Sequence, residues 1–527
     1  MLNLNDFPIE LLEQILLQSD PSTIVCCRQV SKHLNGIVIR SKRVEYMLQL
    51  DMNNLQDGPP GGMNTSERLQ CLQRRNAAWD TLHFTSKQLV ESTASPMQMD
   101  FSKSHLVCLD AEGVKVLRTP SFLRNIAEKS WTIEPARFEF EAPSVVGIKA
   151  DADQDLLMIA EKRNQTVKLH LHSLTAGEKH PDALQPNLLV EDAHGDGPRS
   201  TIETVKDLQI QDDYILINNR CREDDFDCLV TKIYVFNWRT GALMFSVSHP
   251  ESLIALLLPD DLLLLVYDRL TPNDHLPCTL SLTQLGRPWA EMGHPLPIYA
   301  YEYICHLHFP EKGEAIRGFR SEISAMLGGS GSTHGQAPFT SGEERLLVIH
   351  AEYDSSDMQV DEISATDNIW FTALIPLSTI MGCRDRAARG HRKHFPWEEW
   401  GPGGVHMLPT DNHVGFVYID GAPVLMHSST RDRAHLVLEI CDFGAPFGQR
   451  RRNHLLDGVA ERVHTGFIYD IEASLPNSVG RHSFDHARFE RELRDDSEEL
   501  AHVLLGEDAV VLVVLCKHST RYIVWSI

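Results

Sequence analysis

Beyond about residue 83 the chain changes rhythm, and that change limits what it can fold into more than any other feature does. Short apolar runs recur all the way to the C-terminus, at 105–109, 156–160, 167–171, 214–218, 232–236, 346–350, 414–419, 510–516 and 522–526. They are rich in Val, Leu, Ile and Tyr and bounded by Gly, Asp, Asn or Pro, which is how strands on a pleated, half-buried surface read. The most apolar stretch, 253–267, is broken by Pro259-Asp260-Asp261. It reads as a turn between two buried strands and is too short and interrupted to span a bilayer. A single sandwich seldom runs past roughly 250 residues. The 83–527 region is therefore expected to be an all-β propeller of about seven blades.

Two segments sharpen this expectation. Ile233-Tyr234-Val235-Phe236-Asn237-Trp238-Arg239-Thr240-Gly241 resembles the end of a WD-type propeller strand with its tight Thr-Gly turn. Lys168 to Gly177 repeats the pattern more weakly about 65 residues earlier, a wider interval than the roughly 40–45 residues of a WD repeat, so the blades carry long loops. Mobile loops are expected near 324–344, which contains a Gly-Ser run, and near 384–405, which joins a basic run to Phe395-Pro396-Trp397-Glu398-Glu399-Trp400-Gly401-Pro402.

The first 50 residues keep helical spacing instead. Pro8 stands where a helix can start, Glu10 suits its positive end, and Leu11, Leu12, Ile15 and Leu16 fall on one broad face. Asp20-Pro21 reads as a cap and first helical residue for a second helix bearing Ile24, Val25, Cys27 and Val30. A third run, Val44, Met47 and Leu48, repeats the spacing. So short a helical unit lies near the size at which chains need outside support, so part of its apolar surface is expected to meet another protein. After the breaker cluster Asp57-Gly58-Pro59-Pro60-Gly61-Gly62, Thr65 is expected to cap a linker helix. Its Leu69, Leu72 and Trp79 would pack the head onto the following domain within a 51–82 connection.

The order Phe7-Pro8, Glu10-Leu11-Leu12, Ile15-Leu16, Asp20-Pro21 and Arg28-Gln29-Val30-Ser31 resembles an F-box over residues 1–50. Phe7 replaces the leucine more usual before the proline and keeps the apolar anchor. The resemblance implies docking on a Skp-type adaptor through Phe7, Pro8, Leu11, Leu12, Ile15, Leu16, Ile24, Val25 and Val30, with a cullin further along the assembly. Over most of the chain the Ser66-Glu67-Arg68-Leu69…Ala78-Trp79 helix, the aromatic cluster at 395–402 and Asp442-Phe443-Gly444 are similar to a large group of F-box proteins of mushroom-forming fungi.

A net charge of −24 argues against nucleic acid or an anionic membrane as partner. Residues 1–95 hold nine Lys/Arg against ten Asp/Glu, so the acidity belongs to the large domain. The N-terminus has no secretory pattern, and eleven cysteines, two of them adjacent, suit reduced thiols in cytosol or nucleus. No phosphate loop, dinucleotide fingerprint, nucleophile elbow or His-Glu-x-x-His is present, and the 26 histidines lack ligand spacing. No catalytic residue, metal or cofactor is expected.

Two basic clusters stand out: Arg384, Arg386, Arg389, Arg392 and Lys393, and then Arg450-Arg451-Arg452. They read either as balancing charge on loops or as a site for a phosphorylated segment. The sequence therefore points to a non-catalytic substrate receptor of a Skp–cullin–F-box ubiquitin ligase. The alternative is a protein-interaction scaffold that binds the adaptor, or other proteins, without directing ubiquitylation.

Overall fold

The computed structural model describes residues 7–81, 84, 86–92, 97–122, 124–164, 166–190, 200–223, 228–249, 253–267, 278–286, 296–297, 302–310, 321–327, 337–342, 345–353, 369–390, 392–409, 414–419, 423–429, 436–442, 462–463, 471–472, 499–506, 508–517 and 519–526.

Four helices form the head: α1 (Ile9–Leu17), α2 (Pro21–Val30), α3 (Lys32–Arg40) and α4 (Lys42–Met52). The Asp20 carboxylate accepts from the Thr23 amide and starts α2, with Pro21 at the first helical position. Ser31 closes α2 and opens α3 by accepting from the Leu34 amide, and Ser41 opens α4 by accepting from Val44. Such an acceptor satisfies a first-turn N–H that has no partner inside the helix. Single shared caps leave no linker, so the helices fold back sharply and close a small core around Leu12, Leu16, Ile24, Ile37 and Val44. Helix α3 was not among the expected elements; the Val44, Met47 and Leu48 run belongs to α4.

The linker helix α5 (Thr65–Thr81) is capped by Asn64 rather than by Thr65. Asn64 Oδ1 accepts from the amides of Ser66 and Glu67, and Glu67 Oε2 accepts from the Asn64 amide in return (2.8 Å). This reciprocal box satisfies first-turn donors that would otherwise be orphaned.

The rest is a β-propeller whose blades follow chain order. Blade 1 comprises Gln98–Ser102, His105–Asp110, Gly113–Arg118 and Lys129–Ile133; blade 2, Val145–Asp151, Leu156–Arg163, Thr166–Ser173 and Asn187–Val190. Blade 3 holds Ser200–Gln211, Tyr214–Glu223, Cys228–Asn237 and Leu243–His249; blade 4, Leu253–Leu258, Leu262–Tyr267, Thr279–Gln284 and Cys305–His308. Blade 5 holds Ser321–Leu327, Leu346–Tyr353, Ile369–Pro376 and His406–Pro409, and blade 6, Val414–Ile419, Pro423–Ser429 and Leu436–Asp442. Blade 7 takes Glu499–Leu505, Ala509–Leu515 and Thr520–Ser526 from the C-terminal region and Ser86–Ser92 as its outermost strand. That last pairing, Ser86↔Ser526 through Ser92↔Thr520, closes the ring. The nine apolar runs read from the sequence fall on these strands, the run 510–516 passing one residue beyond Leu515.

The first strands of neighbouring blades pack side by side, and the cores lie between the sheets. Val107, Val116, Ile148 and Ile159 fill the seam of blades 1 and 2; Met158, Leu169, Ile217 and Trp238 that of blades 2 and 3. Each middle strand is thus apolar on both faces, as Leu262–Tyr267 shows with every residue buried. The two WD-like segments are the third strands of consecutive blades. Gly177 (φ +72°) and Gly241 (φ +75°) end them in the left-handed region where a side chain is strained.

The 384–405 stretch is helical rather than a loop: α6 (Leu377–Gly390) and α7 (Trp397–Gly404) are inserted between the third and fourth strands of blade 5. Burial of Phe395, Trp397 and Trp400 against the seam of blades 4 and 5 overrides the local Gly and Pro signals. Between the helices, His394–Phe395 pairs parallel with Cys305–His308 as a fifth strand on blade 4. Of the 324–344 stretch, 324–327 is strand and Phe339–Ser341 is another; 328–336 and 343–344 lie outside the described residues.

Candidate adaptor-docking surface

The head divides its apolar residues into two sets. Leu12, Leu16 and Ile24 are at most 3% exposed and form the interior, with Phe7 and Val25 packed partly against them. Ile9, Leu11 and Ile15 are half exposed (53, 50 and 51%), and Val30 is 85% exposed. Pro8, exposed at the cap of α1, stands in one row with Leu11 and Ile15, because residues three and four apart share a helix face. Seven of the nine residues proposed from the sequence therefore fall into two sets, with Phe7 and Val25 between them. Pro8, Leu11, Ile15 and Val30 leave apolar surface outside, whereas Leu12, Leu16 and Ile24 hold together the helices that carry it. Helical period alone could not separate the sets, since a three-helix contact and a docking face look alike in sequence.

The head is fastened to one end of the propeller. Leu55–Asp57 pairs antiparallel with Phe339–Ser341, which belongs to the connection between the first and second strands of blade 5. Above this pairing the Pro338 carbonyl accepts from Tyr46 Oη and Arg68 Nη1 (3.1 Å each), while Arg68 also reaches Asp57 at 2.5 Å. Burial together with the Asp57 carboxylate pushes the Tyr46 phenol well above its ordinary range, so it stays a donor. Tyr46, Leu50, Leu69, Leu72 and Phe339 close the joint.

A second fastening lies in blade 7. Asp508, in the turn between the first and second strands, accepts from Arg75 Nε of α5 (2.9 Å), from Arg124 Nε and from Ser121 Oγ (2.6 Å). Burial alone would raise its pKa; the two guanidinium groups overcome that and hold it at about 2. Trp79 of α5 meets Phe84 edge-on, and Phe84 stacks on Trp525. The sequence offered no signal for this hub, because Arg75 and Asp508 are 433 positions apart.

Both fastenings occupy the same end of the ring, the one carrying the first-to-second strand turns. At that end the buried Arg345 of blade 5 donates to Gln211 of blade 3 (Nη1 to Oε1, 2.7 Å).

Residues 4–45 match the F-box domain.

The match stops before the linker helix, so it concerns the head alone. None of the curated proteins matches the chain. Among solved structures it is similar to the β-propeller domain of the Trilobed protease from Pyrococcus furiosus, at 9% identity and a TM-score of 0.36, covering 82% of this chain and 95% of that one. It also resembles the acylaminoacyl peptidase of Pyrococcus horikoshii (9% identity, TM-score 0.35) over 82% of this chain and 50% of the peptidase. A member of the DUF4221 family from Bacteroides vulgatus matches at 9% identity and a TM-score of 0.31, over 68% of this chain.

The basic run of α6 is largely committed within the molecule. Arg384 pairs with Asp260 (3.1 Å) and Asp385, Arg392 with Glu399 (2.8 Å) and Lys393 with Glu302 (3.9 Å). Arg386 lies over the Phe395 ring, and Arg389 Nε donates to the Asp385 carbonyl. These contacts favour charge balance over an open phosphate site. Arg450, Arg451 and Arg452 lie outside the described residues. Among the described residues no group of three or more His, Cys, Asp or Glu is arranged to hold a metal ion, and no helix is long and apolar enough to cross a membrane.

Proposed function

We propose that this protein is a non-catalytic substrate receptor of a Skp–cullin–F-box ubiquitin ligase. The observation that carries the reading is the row Pro8, Leu11 and Ile15 with Val30 on the matched F-box: apolar surface left outside on a head that already has a closed interior. Exposed apolar surface of this kind on a small unit is what a protein partner covers. A Skp-type adaptor is that partner, and the cullin follows through it. A receptor of this kind acts by proximity and orientation, raising the concentration of a substrate lysine beside the loaded conjugating enzyme.

The two-point fastening of the linker supports a fixed angle between head and ring. Because both fastenings of the head lie at one end of the ring, our reading puts substrate docking at the opposite end. Arg450, Arg451 and Arg452 remain our candidate contacts for an acidic or phosphorylated segment. Their replacement by Glu should reduce substrate recovery without touching adaptor binding.

The decisive experiment is Ile15→Asp, measured by calorimetry against a Skp-type adaptor. An unpaired carboxylate buried at that interface costs several kcal/mol, so affinity should fall by about a thousandfold or more while the melting curve stays put. Unchanged affinity would remove the adaptor from this reading. Recovery of adaptor without cullin from cells would move the protein to the scaffold alternative.

A further inference from the structure

The connection between the first and second strands of blade 5 carries the head joint and, a few residues on, a buried cation. Phe339–Ser341 pairs with Leu55–Asp57 at the joint, and Arg345 is the last residue before the second strand. The Leu377 amide donates to the Arg345 carbonyl (2.8 Å) and fixes its backbone. The residue is 7% exposed, so its guanidinium is enclosed. Among the described residues the side chain has one acceptor, the neutral Gln211 Oε1 at 2.7 Å from Nη1, and no carboxylate at ion-pair distance. A guanidinium stays charged at neutral pH and carries five N–H donors in one plane. Burying such a group is costly unless an opposite charge lies within reach and its donors are filled.

The carboxylates that act on Arg345 from further off are committed elsewhere. Asp151, at the end of the first strand of blade 2, accepts from Lys103 Nζ (2.8 Å), the Asp153 amide (3.0 Å) and Gln154 Nε2 (3.2 Å). Asp212 Oδ2 accepts from Gln211 Nε2 (2.8 Å). The turn that carries Gln211 and Asp212 is itself fixed, because the Asp212 carbonyl accepts from Trp238 Nε1 (3.0 Å) and Gln154 Nε2 (2.9 Å). Burial outweighs the attraction of Asp212 and Asp151 and pulls the guanidinium below its ordinary pKa.

We propose that Arg345 binds a small carboxylate, its two oxygens side by side on the guanidinium fork, at the end of the ring that carries the head. The fork matches a carboxylate in width and plane, and the paired charge-assisted hydrogen bonds supply what Gln211 alone does not. Local charge selects the class of anion. Lys103 and Arg345 stand against Asp151, Asp153 and Asp212, with Lys103 also paired to Asp153 (3.0 Å). Two positive charges against three negative tolerate a singly charged oxyanion better than a phosphate group, which carries nearly two. The site does not depend on which partner the head takes.

Replacing chloride by acetate at constant ionic strength and neutral pH tests the site in the full-length protein. Acetate should raise the melting temperature by about 2 °C or more beyond any rise in Arg345→Met, because it binds the folded state. Saturation transfer from the protein should reach the acetate methyl protons, and should be lost in Arg345→Met. That variant should stay folded, since an unpaired buried cation can be exchanged for an apolar chain of similar size without loss. Gln211→Met removes the neutral acceptor and keeps the guanidinium, so its acetate response should be at least as large as that of the unaltered protein. Three results would overturn the proposal: no saturation transfer to acetate, an equal rise in Arg345→Met, or a larger Arg345-dependent rise with phosphate than with acetate.

Discussion

Head and propeller dispose of apolar surface in opposite ways. In the propeller both faces of the middle strands are used up against neighbouring blades, and the first and last parts of the chain share blade 7 so that the ring has no open seam there. The head builds an interior from one side of each helix and leaves Leu11, Ile15 and Val30 outside. Buried content alone does not mark a binding region. What marks it is apolar surface that remains after the local core is complete.

The largest expected effect attacks the self-sufficient half. Deleting 519–527 removes the third strand of blade 7 and leaves Ser86–Ser92 without a partner. The ring should then lose its cooperative melting transition altogether, while the F-box helices still form. A truncated protein that melts at the original temperature would refute closure through this strand.

Next come two replacements that separate interior from surface within the head. Leu12→Asp places a carboxylate where the side chain is 1% exposed, and should cost about 3–5 kcal/mol and unfold the head. Ile15→Asp, one helical turn away on the surface row, should leave helix content unchanged and remove only adaptor binding. Circular dichroism of both variants beside calorimetry makes the distinction. If both behave alike, the division into two sets is wrong.

Asp508→Asn tests the joint between the two regions. It leaves Arg75 and Arg124 buried beside a neutral partner, with an expected loss of about 3–5 kcal/mol, seen in denaturant unfolding and as faster exchange in α5. The acid limb follows from the same carboxylate. Its folded pKa, about 2, lies below the ordinary aspartate value of about 3.9. Its contribution is therefore complete above that ordinary value and is lost as pH falls from about 4 to 2, a loss the Asn variant should not show.

The smallest effect should come from Asp20→Ala. Loss of the α2 cap should cost about 1 kcal/mol in the head and leave the propeller melt in place.

Much of this architecture could be read before the structure. Alternation, turn residues and length disclosed the blades, because strands such as Leu262–Tyr267 carry their burial in their composition. Asp20-Pro21 disclosed α2 for a similarly local reason. Helix α3 escaped because Ser31 serves as end and start at once, leaving no breaker to announce it. The α6–α7 insertion escaped because its helicity depends on Phe395, Trp397 and Trp400 finding a seam made by other parts of the chain. The candidate docking residues could be named from the sequence, but not sorted into buried and exposed sets. Leu11 and Leu12 are adjacent, chemically identical and opposite in exposure.

The pairing of Ser86 with Ser526 sets a timetable for the newborn chain. The strand that completes blade 7 leaves the ribosome 526 − 86 = 440 residues before the strand it must join. At about 5–20 residues per second this is a wait of roughly 20–90 s. The F-box, with its contacts all local, can fold at once and offer its apolar row for most of that interval. A partner of the head could therefore take hold of a chain whose ring is still open, and translation that stops early would leave a bound head with no finished ring behind it.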